Sequence, residues 1–113
     1  MTSRDSKLYL TDILESIEQI EEYLSGFTLE TFEEDLEKQD SVMRRLEIIG
    51  EAAKQLPDEF KKAHPEVPWR DIADFRNVLI HEYSGIKRER VWEVVHRDLP
   101  LLKTQVSSYL TDN

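Results

Sequence analysis

Cysteine is absent from the 113 residues, which excludes a disulfide frame and thiolate chemistry. Glycine occurs three times and proline four times, too few to punctuate a chain of many short strands. No stretch sustains period-2 alternation, so a sheet is not expected. No apolar run approaches the roughly 20 residues that a membrane span requires. The opening "MTSRDSKLYL" lacks the pattern of a signal peptide, and a cytoplasmic protein is the simplest expectation. Positive charge is also scarce: the net charge is −9, which argues against a general nucleic-acid binder. The deficit is local. Residues 1–67 hold 8 basic and 17 acidic groups, whereas residues 68–97 hold 6 basic and 5 acidic ones.

What remains reads as helix throughout, in a chain of single-domain length, 1–113. Leu10, Ile13, Leu14, Ile17, Ile20 and Leu24 recur at helical spacing, and Gly26 supplies a stop. Thr28 is placed to cap a short second helix carrying Leu29, Phe32 and Leu36. A long helix follows, with Val42, Leu46, Ile49, Ala53 and Leu56 on one face, ending before Pro57. Gly50 and Ala53 are small and about one turn apart, so another helix can approach there. A short helix bracketed by prolines lies in "PDEFKKAHPEVPW". Pro68 then opens a helix over about 68–83, which "SGIK" breaks. The last helix spans about 87–110. Its apolar residues Trp92, Val95, Leu99, Leu102, Val106 and Tyr109 form a coiled-coil-like seam, and Pro100 should kink it. The expected architecture is an all-α bundle of four main helices with one or two short ones.

Chemistry concentrates in "RNVLIHEY", residues 76–83. On a helical wheel Trp69, Ile72, Ala73, Leu79, Ile80 and Tyr83 fall within about 60° of Arg76. A permanently charged guanidinium thus stands at the centre of an apolar stripe, where it is costly to bury alone. It must meet an acid of a neighbouring helix, line a crevice, or emerge at a subunit contact. His81 lies about 140° away on the wheel. Asn77, four residues before it, is within reach to orient its ring. By itself such a histidine reads as a surface group near a helix C-terminus.

If Arg76 and His81 converge, they form a phosphate fork and a proton-transfer group. Such a pair can cleave RNA without a metal. The 2′-hydroxyl supplies the nucleophile, and arginine stabilises charge on the phosphoryl oxygens. There is no HExxH pair and no Gly-rich phosphate loop, and three scattered histidines make a zinc site a poor fit. The acidic run "EEDLEKQD" reads as surface. His64 and His96 read as structural, and Trp69 and Trp92 as core.

"RNVLIHEY" resembles the R-x-x-x-x-H motif of HEPN domains, with the following tyrosine of the HepT-like toxins. "LEIIGEAAKQLP", "PEVPWRDIADFRNVLIHEYSGI" and "VWEVVHRDLP" extend the likeness in order over most of the chain. The resemblance implies a homodimeric HEPN bundle in a prokaryote whose two motifs face each other in a cleft. It implies a metal-independent endoribonuclease toxin of a type VII-like toxin–antitoxin pair, acting on tRNA or mRNA without a cofactor. Arg76 and His81 would be catalytic and Asn77 supporting. Tyr83 would be the site of AMPylation by an MntA-type nucleotidyltransferase antitoxin. Arg70, Lys87 and Arg88, with Arg90 and Arg97, are candidate RNA contacts if the last two helices line one groove. Two other readings stand beside this one. One is a non-catalytic helical module that scaffolds a nucleotidyltransferase, with Arg76 as a structural or nucleotide-phosphate contact. The other is a bare dimeric interaction domain using the last-helix seam.

Overall fold

A computed structural model describes residues 3–81 and 86–111, and among these it is all-α, with no strand. Helix α1 spans Arg4–Tyr23 and is started by Ser3, whose side chain accepts from the Ser6 N–H at 3.2 Å. It buries Leu10, Ile13, Ile17 and Ile20, the face expected from their spacing. Gly26 turns the chain with φ 81°, a left-handed conformation that glycine adopts without cost. Thr28 and Thr31 then form a reciprocal capping box at the head of α2, Leu29–Glu33.

Helix α3 spans Leu36–Gln55 and corrects two expectations. Leu36 is not on α2. Asp35 accepts from the Lys38 N–H at 3.0 Å and starts a new helix, leaving Leu36 66% exposed on its first turn. Nor is "EEDLEKQD" all surface, because Gln39 is only 2% exposed. Its amide donates to the carbonyls of Phe32 at 2.8 Å and Glu33 at 3.1 Å, and its oxygen accepts from Arg88 Nε at 3.0 Å. One side chain thereby closes the end of α2, which lacks glycine, and ties it to the last helix.

Pro57 ends α3 as expected: Leu56 before it is extended, with ψ 139°. Helix α4, Asp58–Ala63, is followed by a turn and then α5, Trp69–His81. Pro68 sits just ahead of α5, and its carbonyl accepts from the Ile72 N–H at 3.1 Å. The break expected at Ser84–Gly85 lies outside the described residues. The chain resumes in α6, Arg88–Glu93, with Lys87 at its N-cap. A π-helical turn, Val94–Asp98, joins α6 to α7, Leu99–Thr111. Near Pro100, where a kink is expected, the structure shows this π-helical turn. Proline has no N–H and crowds the preceding turn, and the backbone widens just before it, with Leu99 N–H reaching the Val94 carbonyl five residues back.

Helix α3 is the centre of the bundle, with α1 packed on one side and α5 on the other; α7 packs against α1. Lys103 Nζ meets Glu21 Oε1 at 2.8 Å across the α7–α1 contact. The last-helix seam is spent within this core. Val95, Leu99, Leu102, Val106 and Tyr109 are buried, and Trp92 lies against Phe32 with ring centroids 5.5 Å apart. It is therefore not a free dimerisation face, and the interaction-domain reading that relied on it is set aside. No helix among the described residues is long and apolar enough to cross a membrane.

Candidate active site

Helix α5 is fixed at its start by aromatic packing. Trp69 is buried, and its indole N–H donates to the His64 carbonyl at 3.0 Å. The His64 ring lies between Phe60 and Tyr109, at 4.5 and 4.1 Å between centroids, with Nδ1 3.3 Å from Glu66 Oε2. The Tyr109 hydroxyl donates to the same Glu66 oxygen. That hydrogen bond is the leading cause of a carboxyl held below its ordinary range. Burial, with Glu66 alongside, pushes the Tyr109 hydroxyl well above the usual tyrosine range. His64 thus does structural work, as expected. So does His96, whose Nδ1 is 2.9 Å from the Trp92 carbonyl.

The middle of α5 lies against α3 at Gly50. A Cβ on that glycine would sit 2.6 Å from Arg76 Cβ and 3.1 Å from the Ile72 carbonyl. The small residue expected to admit a neighbour does so, and the neighbour is the root of the Arg76 side chain. Of the three outcomes open to Arg76, the single chain shows an acid partner beside an open crevice. Arg76 Nε is 2.9 Å from Glu51 Oε2, with the side chains 28% and 45% exposed. Glu51 Oε1 accepts from Gln55 Nε2 at 3.2 Å, and Arg76 Nη1 donates to Asn77 Oδ1 at 3.4 Å. This group borders a depression of about 210 Å³ between α1, α3 and α5, shared with Tyr9, Asp12, Arg44 and Glu47. Glu51 and Gln55 were not singled out from the sequence. The signal was their place: Glu51 adjoins Gly50, and Gln55 is one turn further on.

His81 is exposed at the last described residue of α5. No hydrogen bond among the described residues joins it to Arg76. Asn77 is exposed, and its carbonyl is turned to Arg76 rather than to the histidine. Tyr83 lies outside the described residues.

The basic groups do not share one groove within the single chain. A groove of about 350 Å³ does run between α5 and the last helix, floored by Leu46 and Ile49. Only Arg90 and Arg97 of the candidates line it, together with Asp71 and Asp98. Arg97 is paired with Glu93 and Asp98, and Arg90 stands 5.7 Å over the Phe75 ring. Arg88 is held by Gln39, Arg70 is exposed 4.0 Å from Asp74, and Lys87 is exposed at the α6 cap. The separation follows from the bundle: α5 packs on α3, whereas α7 packs on α1 and α6 on α2, so the helices that carry these groups do not pack side by side. No three His, Asp or Glu side chains among the described residues are placed to hold a metal ion.

The HepT-like ribonuclease family matches residues 13–109, which include Arg76, His81, Asn77, Glu51 and Gln55. The chain belongs to the HepT-like family. It is 48% identical over 100 residues to the "probable ribonuclease HepT" of Thermococcus cleftensis, covering 88% of this chain and 91% of that one. It is 42% identical over 102 residues to a "putative RNase" of Caldanaerobacter subterraneus, covering 90% and 91%. A "gamma-glutamylcyclotransferase and putative RNase" of Methanocaldococcus jannaschii is 47% identical over 103 residues, which make up 91% of this chain. The match spans 46% of that relative, about half its length. No solved structure matches.

Proposed function

We propose that this HepT-like chain is an endoribonuclease that cleaves RNA through its internal 2′-hydroxyl, with Arg76 and His81 meeting in a cleft between two copies of the chain. The observation that carries the reading is the setting of Arg76. Its guanidinium is anchored at Nε and borders an open depression, five residues ahead of an exposed histidine at the end of the same helix. The wheel separates the two groups by about 140°, so a second copy has to bring one protomer's His81 toward its partner's fork. In the reaction His81 takes the 2′-hydroxyl proton. The 2′-oxygen bonds to phosphorus, and the bond to the 5′-oxygen breaks. That oxygen takes a proton from water as it leaves, while Arg76 stabilises the phosphoryl charge. The products are a 2′,3′-cyclic phosphate and a 5′-hydroxyl.

The same reading makes the chain the toxin of a toxin–antitoxin pair, silenced when a nucleotidyltransferase attaches AMP to Tyr83. Two residues beyond His81 in sequence, that AMP brings a negative phosphate to the site meant for RNA and repels it. Arg70, Lys87 and Arg88 are proposed as outlying RNA contacts, with tRNA or mRNA as substrate.

Purified protein should cleave RNA in EDTA and leave cyclic phosphate ends. Arg76→Ala and His81→Ala should each abolish cleavage with the dimer intact. An active His81→Ala protein would refute the assignment. The Arg76–Glu51 pair favours one other reading, in which Arg76 is structural and the chain is a non-catalytic module that docks a nucleotidyltransferase. That reading expects co-purification with such a partner and no cleavage at any protein concentration.

A further inference from the structure

We infer that Glu51 is a positioning residue for Arg76: it grips the Nε edge of the guanidinium so that the terminal nitrogens are presented to an RNA phosphate as a fixed fork. This role presupposes that Arg76 meets RNA as proposed above.

Three observations carry it. First, the carboxylate approaches Nε, at 2.9 Å, instead of straddling the two terminal nitrogens that would clamp a phosphate in two-point fashion; Nη1 meets only the neutral Asn77 carbonyl, in a long contact of 3.4 Å that a phosphate can displace. A carboxylate placed to block the site would occupy that outer edge. Second, Glu51 is itself held. Its Oε1 accepts from Gln55 Nε2 at 3.2 Å, and Oε2 is shielded from solvent with no well-aligned hydrogen bond among the described residues. The Arg76 charge is the compensation for burying that oxygen. Third, the neighbouring Gly50 brings the α3 backbone against Arg76 Cβ, so the root and the tip of the side chain are both fixed by one turn of α3. A long side chain with four rotors is thereby held before substrate arrives. Such preorganisation acts on the reacting geometry more than on the affinity for RNA.

The test uses the full chain, labelled with ¹⁵N, and a short oligoribonucleotide. The Arg76 Nε–H resonance, assigned by its loss in Arg76→Lys, should report a rigid side chain in the wild type and a mobile one in Glu51→Ala by ¹⁵N relaxation. In the same variant kcat should fall roughly tenfold while KM stays within about twofold. Glu51→Gln keeps an acceptor at Nε and should recover part of kcat. It also supplies the comparison if Glu51→Ala does not fold. A merely structural carboxylate predicts lost folded protein with unchanged kcat in the folded fraction, and that result overturns the inference. So does a kcat that rises when the guanidinium is freed, which would make Glu51 a brake. A wild-type chain that holds its Arg76 Nε–H rigid yet leaves RNA intact also overturns the role, and assigns the failure to the functional reading instead of to the geometry.

Discussion

Replacing Gly50 with alanine sets two known effects against each other at one position. Alanine favours a helix interior by about 1 kcal/mol over glycine. The new methyl, however, would stand 2.6 Å from Arg76 Cβ, where ordinary contact begins near 3.4 Å, so α5 has to retreat by about 0.8 Å. The obstacles are a Cβ on a helical backbone and the Ile72 carbonyl at 3.1 Å. Neither can rotate aside. Overpacking that moves backbone costs about 1–3 kcal/mol, and the upper half of that range applies here. Net destabilisation is therefore about 1–2 kcal/mol. With about 2.1 cal/mol/K of unfolding entropy per residue, a chain of 113 residues loses about 4–8 °C in Tm. Thermal unfolding followed by circular dichroism, at one protein concentration for both proteins, measures it. A Tm equal to or above that of the wild type would refute the close approach of α3 and α5. It would also remove the basis for calling Arg76 fixed at its root.

Gly26→Ala should cost about 1 kcal/mol for an unrelated reason, since nothing lies within 4 Å of the added methyl and only the left-handed backbone is strained. Gly26→Asn should cost less, and denaturant midpoints for the pair decide it. Gln39→Leu should lower stability by about 1–3 kcal/mol at unchanged denaturant slope, because it strands the Phe32 and Glu33 carbonyls and the Arg88 Nε–H; a neutral result would mean that water replaces the amide. Glu66 predicts a pH signature. Its folded-state pKa is depressed, chiefly by the Tyr109 hydroxyl, so its stabilisation is present above the ordinary value of 4.5 and is lost as pH falls. Glu66→Gln should accordingly unfold at lower temperature than wild type at pH 7, with a gap that narrows below about pH 4.5; a constant gap would show that the ionised carboxylate contributes nothing.

The helices were legible because each long one buries a single face, and the spacing of Leu10 to Ile20 and of Val42 to Ala53 records that face directly. Gly26, Thr28 and Pro57 were legible because they act within a few residues of themselves. Leu36 was misplaced because Asp35 is a strong helix start within a run of acids, and its capping bond to Lys38 divides what reads as one segment. Gln39 was misread by type. Its spacing to Val42, Met43 and Leu46 puts it on the buried face, and only the carbonyls ending α2 explain why an amide belongs there. For Arg76 the sequence demanded compensation but could not choose among 24 acids. The choice of Glu51 depends on which turn of α3 meets α5. Periodicity within one chain sets Arg76 and His81 about 140° apart on α5 and does not encode whether they meet.

The arrangement of helices divides the consequences of mutation. Because α5 leans chiefly on α3, a packing defect along the α1–α7 contact, away from Tyr9, Asp12 and Tyr109, can lower the melting temperature with little effect on the site's geometry. A defect along α3 reaches both at once. Sequence drift should therefore be freest where α1 and α7 meet each other, and attempts to harden the protein without altering what it does belong there, clear of Tyr9, Asp12 and Tyr109.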